Sequence, residues 1–112
     1  MSSRYRNRAI VGRPFTIQLD VETYDHDTDT CTALPLTGAT GLVVRLIPPV
    51  GSSGTQSDQT GTLPGSPTNR LEFTGTGAEL DIDGTWSIVG IYTLSGSTRE
   101  TFPVAMPVEA AS

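Results

Sequence analysis

The sequence predicts an all-β domain built as an antiparallel β-sandwich of six or seven strands. Three observations carry that expectation. Thr, Gly, Ser and Pro are abundant, and Gly and Pro recur at short intervals along the 112 residues. No helix-length window shows an apolar 3.6-residue period. Short apolar runs instead alternate in steps of two between turn residues, the pattern of strands that bury one face.

Residues 1–8 (MSSRYRNR) are polar and aperiodic, and are expected to form a flexible basic arm. The sandwich is expected over 9–109, with a short tail at 110–112. The first strong strand falls within 9–24, where Phe15, Ile17, Leu19 and Val21 alternate with Thr16, Gln18, Asp20 and Glu22. Pro14 cannot donate to a ladder and belongs at that strand's start or at a bulge. Residues 25–34 (DHDTDTCTAL) read as a polar loop. A second strong strand spans Leu42–Ile47 and is stopped by Pro48-Pro49. Residues 50–69 are the least hydrophobic stretch, with a weak edge strand around Thr55–Thr62.

A short strand at 70–75 points Leu71 and Phe73 inward, and Leu80 and Ile82 plug the crossing that follows. Asp83-Gly84 signals a turn before a strand at 85–94, and Ser95-Gly96-Ser97 signals a hairpin. Residues 98–108 read as one returning edge strand, with Phe102, Val104, Met106 and Val108 on one phase and Pro103 and Pro107 on the other. The shared period-2 phase predicts a core of Phe15, Ile17, Leu19, Leu42, Val44, Leu46, Phe73, Trp86, Ile88, Phe102 and Val104.

Charge and cysteine content narrow the function classes. The net charge is −5, which disfavours nucleic acid as a partner. The longest apolar runs fall far short of the about 20 residues that span a bilayer, so no membrane partner is expected. No apolar stretch of about 7–15 residues, as a signal peptide needs, follows the charged first 13 residues. Cys31 is the only cysteine, so no disulfide can form within the chain.

The charge is unevenly placed. Arg4, Arg6, Arg8 and Arg13 put +4 in the first 13 residues; the rest sets three Arg against all 12 carboxylates, a balance of −9. In an extended chain Arg4, Arg6 and Arg8 share one face, with Tyr5 opposite. Such a strip suits bidentate pairing with carboxylates on a neighbouring copy or a larger partner. Arg4, Tyr5, Arg6, Arg8 and Arg13 are therefore the candidate partner-binding residues; the bland alternative is a solvated tail.

No other constellation supports chemistry. Asp25, Asp27 and Asp29 alternate like the start of a calcium loop, but Thr30 stands where Gly is needed and Leu36 where Glu is needed. An exposed loop capping its own backbone explains the same residues. His26 and Cys31 lack the second pair of a zinc site and anything to orient them as a catalytic dyad. Ser52-Ser53 have no second His to complete a triad. Asp81 and Asp83 could pair for glycoside hydrolysis but read first as turn residues. Gly38, Gly41, Gly51 and Gly54 have no strand–loop–helix context for a phosphate loop. Trp86 is either core or a sugar-stacking platform. No catalytic residue, cofactor or metal is expected.

Three segments taken in order carry a family resemblance. They are Leu36-Thr37-Gly38-Ala39-Thr40 with the strand Leu42–Ile47 and Pro48-Pro49-Val50-Gly51; Asp83-Gly84-Thr85-Trp86; and Ser95-Gly96-Ser97 with Arg99, Thr101-Phe102-Pro103 and Val108-Glu109. Over roughly residues 10–109 the chain resembles the immunoglobulin-like domains of tailed-phage virion proteins, as at the N-terminus of baseplate upper proteins and in small head or tail proteins. The stretch at 50–69 is longer and more polar than in that pattern. The resemblance implies a non-enzymatic structural protein of the virion, a capsid decoration, neck or tail–baseplate component. It would be made in the host cytoplasm, and its partners would be a major capsid, neck or tail protein and copies of itself. The alternative class is a glycan- or cell-surface-binding module that uses the loops at 25–34 and 50–69.

Overall fold

A computed structural model describes residues 8–111. The chain is all-β, with no helix among the described residues. Ten strands follow in order: β1 Ala9–Ile10, β2 Phe15–Asp20, β3 Glu22–Asp25, β4 Thr30–Ala33, β5 Thr40–Ile47, β6 Ser57–Thr60, β7 Arg70–Gly75, β8 Gly84–Leu94, β9 Ser97–Glu100 and β10 Val104–Glu109. The main sheet has the order β1-β10-β8-β5-β6, with β9 on β8. β2 pairs with β7, and β3 with β4.

Two expectations about the sheets need correction. Among the described residues the strands number ten rather than six or seven, because the polar stretch at 22–33 forms two strands, 98–108 splits into two and Ala9–Ile10 is a short strand of its own. The pairing is also not purely antiparallel. β1 runs parallel to β10, with Ala9 opposite Val108, because a short first strand lies beside the last one before the chain turns at 11–13 into β2. Pro14 stands just before β2, the position its missing N–H allows.

The core lies between the main sheet and the β2–β7 pair. Ile17, Leu19 and Leu71 join one buried cluster with Val44, Leu46, Trp86, Ile88, Tyr92, Met106 and Val108. Contact between the layers is close at Gly90. A methyl group there would lie 3.0 Å from Leu71 Cδ2 and 3.1 Å from Leu19 Cδ1. Leu36 and Leu80 reach in from the connections and are fully buried. Leu42, Phe73 and Ile82 are half-buried against this cluster.

The strand termini fall at two ends of the molecule. At one end Asp20 pairs Arg70, Thr40 pairs Thr93, and the β3–β4 hairpin leaves the body. Phe15 pairs Gly75 at the other end, where Gly77 packs against Gly12 and Arg13, and Gly84 against Pro49. A bridge between Thr62 and Glu72 links the chain after β6 to β7.

Candidate docking surfaces

The expected cationic strip is only partly within the described residues. Arg4, Tyr5 and Arg6 lie outside them. Arg8 is exposed and stands 3.9 Å from the Glu109 carboxylate, itself exposed. Such a surface pair contributes little. Arg13 is exposed in the turn before β2, where its N–H donates to the Ile10 carbonyl. Both arginines sit at the end away from the β3–β4 hairpin.

Residues 25–34 are not a loop. Glu22–Asp25 and Thr30–Ala33 pair as an antiparallel ribbon, with Glu22 opposite Ala33 and Tyr24 opposite Cys31. The sequence conceals it because every residue from 22 to 33 is exposed, so no apolar alternation marks the strands. The turn is stitched by short-range bonds. The Asp27 N–H donates to Asp25 Oδ1 at 2.9 Å, and the Tyr24 hydroxyl donates to Asp29 Oδ1. Asp29 sits in the left-handed region at φ 52°, a conformation Asp tolerates. The Tyr24 and His26 rings meet edge to face at 4.7 Å. Hydrogen bonding to Asp29 is the main cause that raises the Tyr24 phenol above its usual pKa.

No group of three or more His, Cys, Asp or Glu side chains among the described residues is placed to hold a metal ion. The Asp25 and Asp29 carboxylates are engaged with their own turn, and Cys31 is a free thiol on the exposed ribbon.

Trp86 is core. It is 1% exposed, and its indole Nε1 donates to the Ile82 carbonyl at 2.8 Å, which removes it from any ligand platform.

Two residues expected in the core are exposed. Phe102 is 91% exposed and Val104 39%. The expected single strand at 98–108 is two strands joined by a bulge. Ile91 faces Glu100, and the Thr101 N–H donates to the Gly90 carbonyl at 2.9 Å, while Gly90 N–H donates to Thr101 Oγ1. The next aligned pair is Ile88 with Val104, so Phe102 and Pro103 together stand opposite Val89. The extra residue breaks the alternation and turns Phe102 into solvent. Val104 keeps the phase of Ile88 but stays exposed at the start of β10.

Pro107 lies opposite Thr85 and has no N–H to give it, while the Glu109 carbonyl accepts from Val11 N–H on the outer side. The odd-numbered residues of β10 therefore turn their backbone groups outward. Pro107 removes one of those donors, which blunts this edge against strand addition.

The polar loops expected to form one binding surface are divided. The ribbon and residues 61–69 lie at the Asp20–Arg70 end, whereas 48–52 lie at the opposite end beside Gly84. No protein-family model matches the chain, and no curated protein matches it.

Proposed function

We propose that the protein is a non-enzymatic structural component of a tailed-phage virion, folded as an immunoglobulin-like β-sandwich and acting through protein–protein docking. The strand order supports the fold. The last strand, its hairpin partner, β5 and β6 form one sheet opposite the β2–β7 pair, with the first strand added in parallel at the edge. The sequence resemblance supports the virion setting.

The observation that carries the docking role is Phe102. A phenyl ring held 91% exposed by a bulge, followed by exposed Pro103 and Val104, is an apolar anchor that loses water when a partner covers it. The test is co-sedimentation of the full chain with purified particles, beside the Phe102→Ser variant. A fixed copy number per particle, reduced in the variant at unchanged melting temperature, is expected. Absence of the protein from particles overturns the virion setting.

One observation favours a second reading. Tyr24 is 48% exposed and meets His26 edge to face on the ribbon, an aromatic surface that a glycan-binding module could present. Binding of a sugar array by the monomer, lost in Tyr24→Ala, selects this reading.

A further inference from the structure

We infer that the outer edge of β9, running into Phe102, is a strand-addition site whose occupant is an extended segment of another protein, with a cation opposite Glu100, a carboxylate opposite Arg99 and an apolar residue opposite Phe102. The inference rests on the docking role proposed above and adds the mode of docking and the chemistry of the partner's segment.

The hydrogen bonds fix which way the backbone of β9 faces. Ser95 and Gly96 close a two-residue turn with Leu94 opposite Ser97. At the other end the Thr101 N–H donates to the Gly90 carbonyl. Bonded and unbonded pairs alternate along an antiparallel ladder, so Ser97, Arg99 and Thr101 turn their backbone groups to β8. Thr98 and Glu100 turn theirs outward. The Thr93 and Thr98 hydroxyls meet at 2.9 Å, as close side chains of an unbonded pair do.

No strand lies beyond β9 among the described residues, and all four of its residues are exposed. The other half of this edge is guarded, because β1 covers the end of β10 and Pro107 removes a donor. The β9 half has no proline before Pro103, and it ends on the exposed ring of Phe102. Open donors and acceptors beside an apolar anchor suit an extended chain that adds as a further strand.

The two faces of the edge specify the side chains of that chain. Glu100 shares the face of Ile91, and Arg99 the opposite face with Tyr92. Neither Arg99 nor Glu100 has an ion pair among the described residues, whereas Asp58 holds Arg45 and Asp20 holds Arg70. Glu100 acts on Arg45 only at longer range. An added antiparallel strand sets one residue directly opposite each free charge, where unlike charges attract and like charges repel. A second copy is a poor occupant for that reason. The edge overlaps best with its own copy in registers centred on Arg99 or on Glu100, and these set Arg99 against Arg99 or Glu100 against Glu100. The pair of free charges therefore selects a different chain.

The probe is the end-blocked peptide Thr-Ile-Thr-Lys-Glu-Thr-Thr, which in antiparallel register sets Ile opposite Phe102, Lys opposite Glu100 and Glu opposite Arg99. It is titrated into the full chain while the amide shifts are followed by NMR. Saturable shifts should centre on Thr98, Glu100 and Phe102. Thr98→Pro removes an outward N–H and no ladder bond, and should weaken binding about threefold or more. Phe102→Ser should also weaken it. Glu100→Lys should weaken it about fivefold or more, and a peptide with Glu in place of its Lys should restore binding to that variant. A peptide that shifts none of these amides at its solubility limit, a folded Thr98→Pro variant that binds like wild type, or a Glu peptide that restores nothing overturns the inference. Concentration-dependent shifts of the same amides in the chain alone make the occupant a second copy and overturn it too. Particle binding that falls in Phe102→Ser but not in Thr98→Pro overturns the edge and leaves the docking role standing. Peptide binding as described by a chain that never sediments with particles supports the edge and overturns the virion setting alone.

Discussion

The indole N–H of Trp86 points at the carbonyl of Ile82, four residues earlier, and meets it at 2.8 Å in the floor of the core. The bond fastens the crossing at 76–83, which carries the buried Leu80, to the start of β8. Trp86→Ala removes both the buried ring and the donor and should cost about 3–5 kcal/mol in urea unfolding. Trp86→Phe keeps most of the ring and strands the Ile82 carbonyl, so it should cost less but more than about 1 kcal/mol.

Gly77 has φ +111°, and a methyl group placed there would lie 2.6 Å from the Gly12 carbonyl carbon and 2.7 Å from Arg13 N. The neighbours are backbone and cannot swing aside. Gly77→Ala should destabilise the domain by at least about 2 kcal/mol, seen as a lower urea midpoint with an unchanged slope.

Phe102→Ser should change stability by less than about 0.5 kcal/mol, because the ring covers little in the isolated chain. A loss comparable to that of Trp86→Ala would mean that the ring packs after all. The paired measurements are thermal melting and particle co-sedimentation.

Glu79 governs part of the acid limb. Partial burial works against its charge, but N–H groups of Glu79 itself, Gly77 and Thr76, with the Thr76 hydroxyl, outweigh it and hold the carboxyl below its usual range. A carboxyl with a depressed folded pKa contributes stability that is complete above its unfolded value and lost as pH falls through the folded one. Arg45 likewise lowers Asp58 through a direct hydrogen bond. Stability should therefore be flat near neutral pH and fall below about pH 4. Glu79→Gln should lower the neutral plateau and flatten the acid limb in pH-dependent urea titrations.

The ribbon should be dispensable for folding. Replacing residues 23–32 with a two-residue Asn-Gly turn keeps the base, where Leu34 N–H donates to the Val21 carbonyl, and removes no buried side chain. The shortened chain should keep its melting temperature within a few degrees.

Period-2 alternation by itself determined where β2, β5, β7 and β8 run and which of their side chains enter the core, because burying one face of a pleated strand forces that pattern. Ile17, Leu19, Val44, Leu46, Leu71 and Ile88 are buried as their phase requires. Ser95-Gly96 likewise determined its turn, whereas Asp83-Gly84 makes none, since Gly84 is already the first residue of β8. Ser95 and Gly96 both have positive φ, the geometry a two-residue hairpin needs. Only the tertiary structure decided the rest. The ribbon at 22–33 buries nothing, so no hydrophobic pattern could announce it. The fate of Phe102 rested on a single extra residue opposite Val89, and a one-residue shift reverses which face a side chain takes without altering the alternation written in the chain. The parallel pairing of β1 with β10 joins residues about a hundred positions apart, and nothing local in either segment specifies its partner.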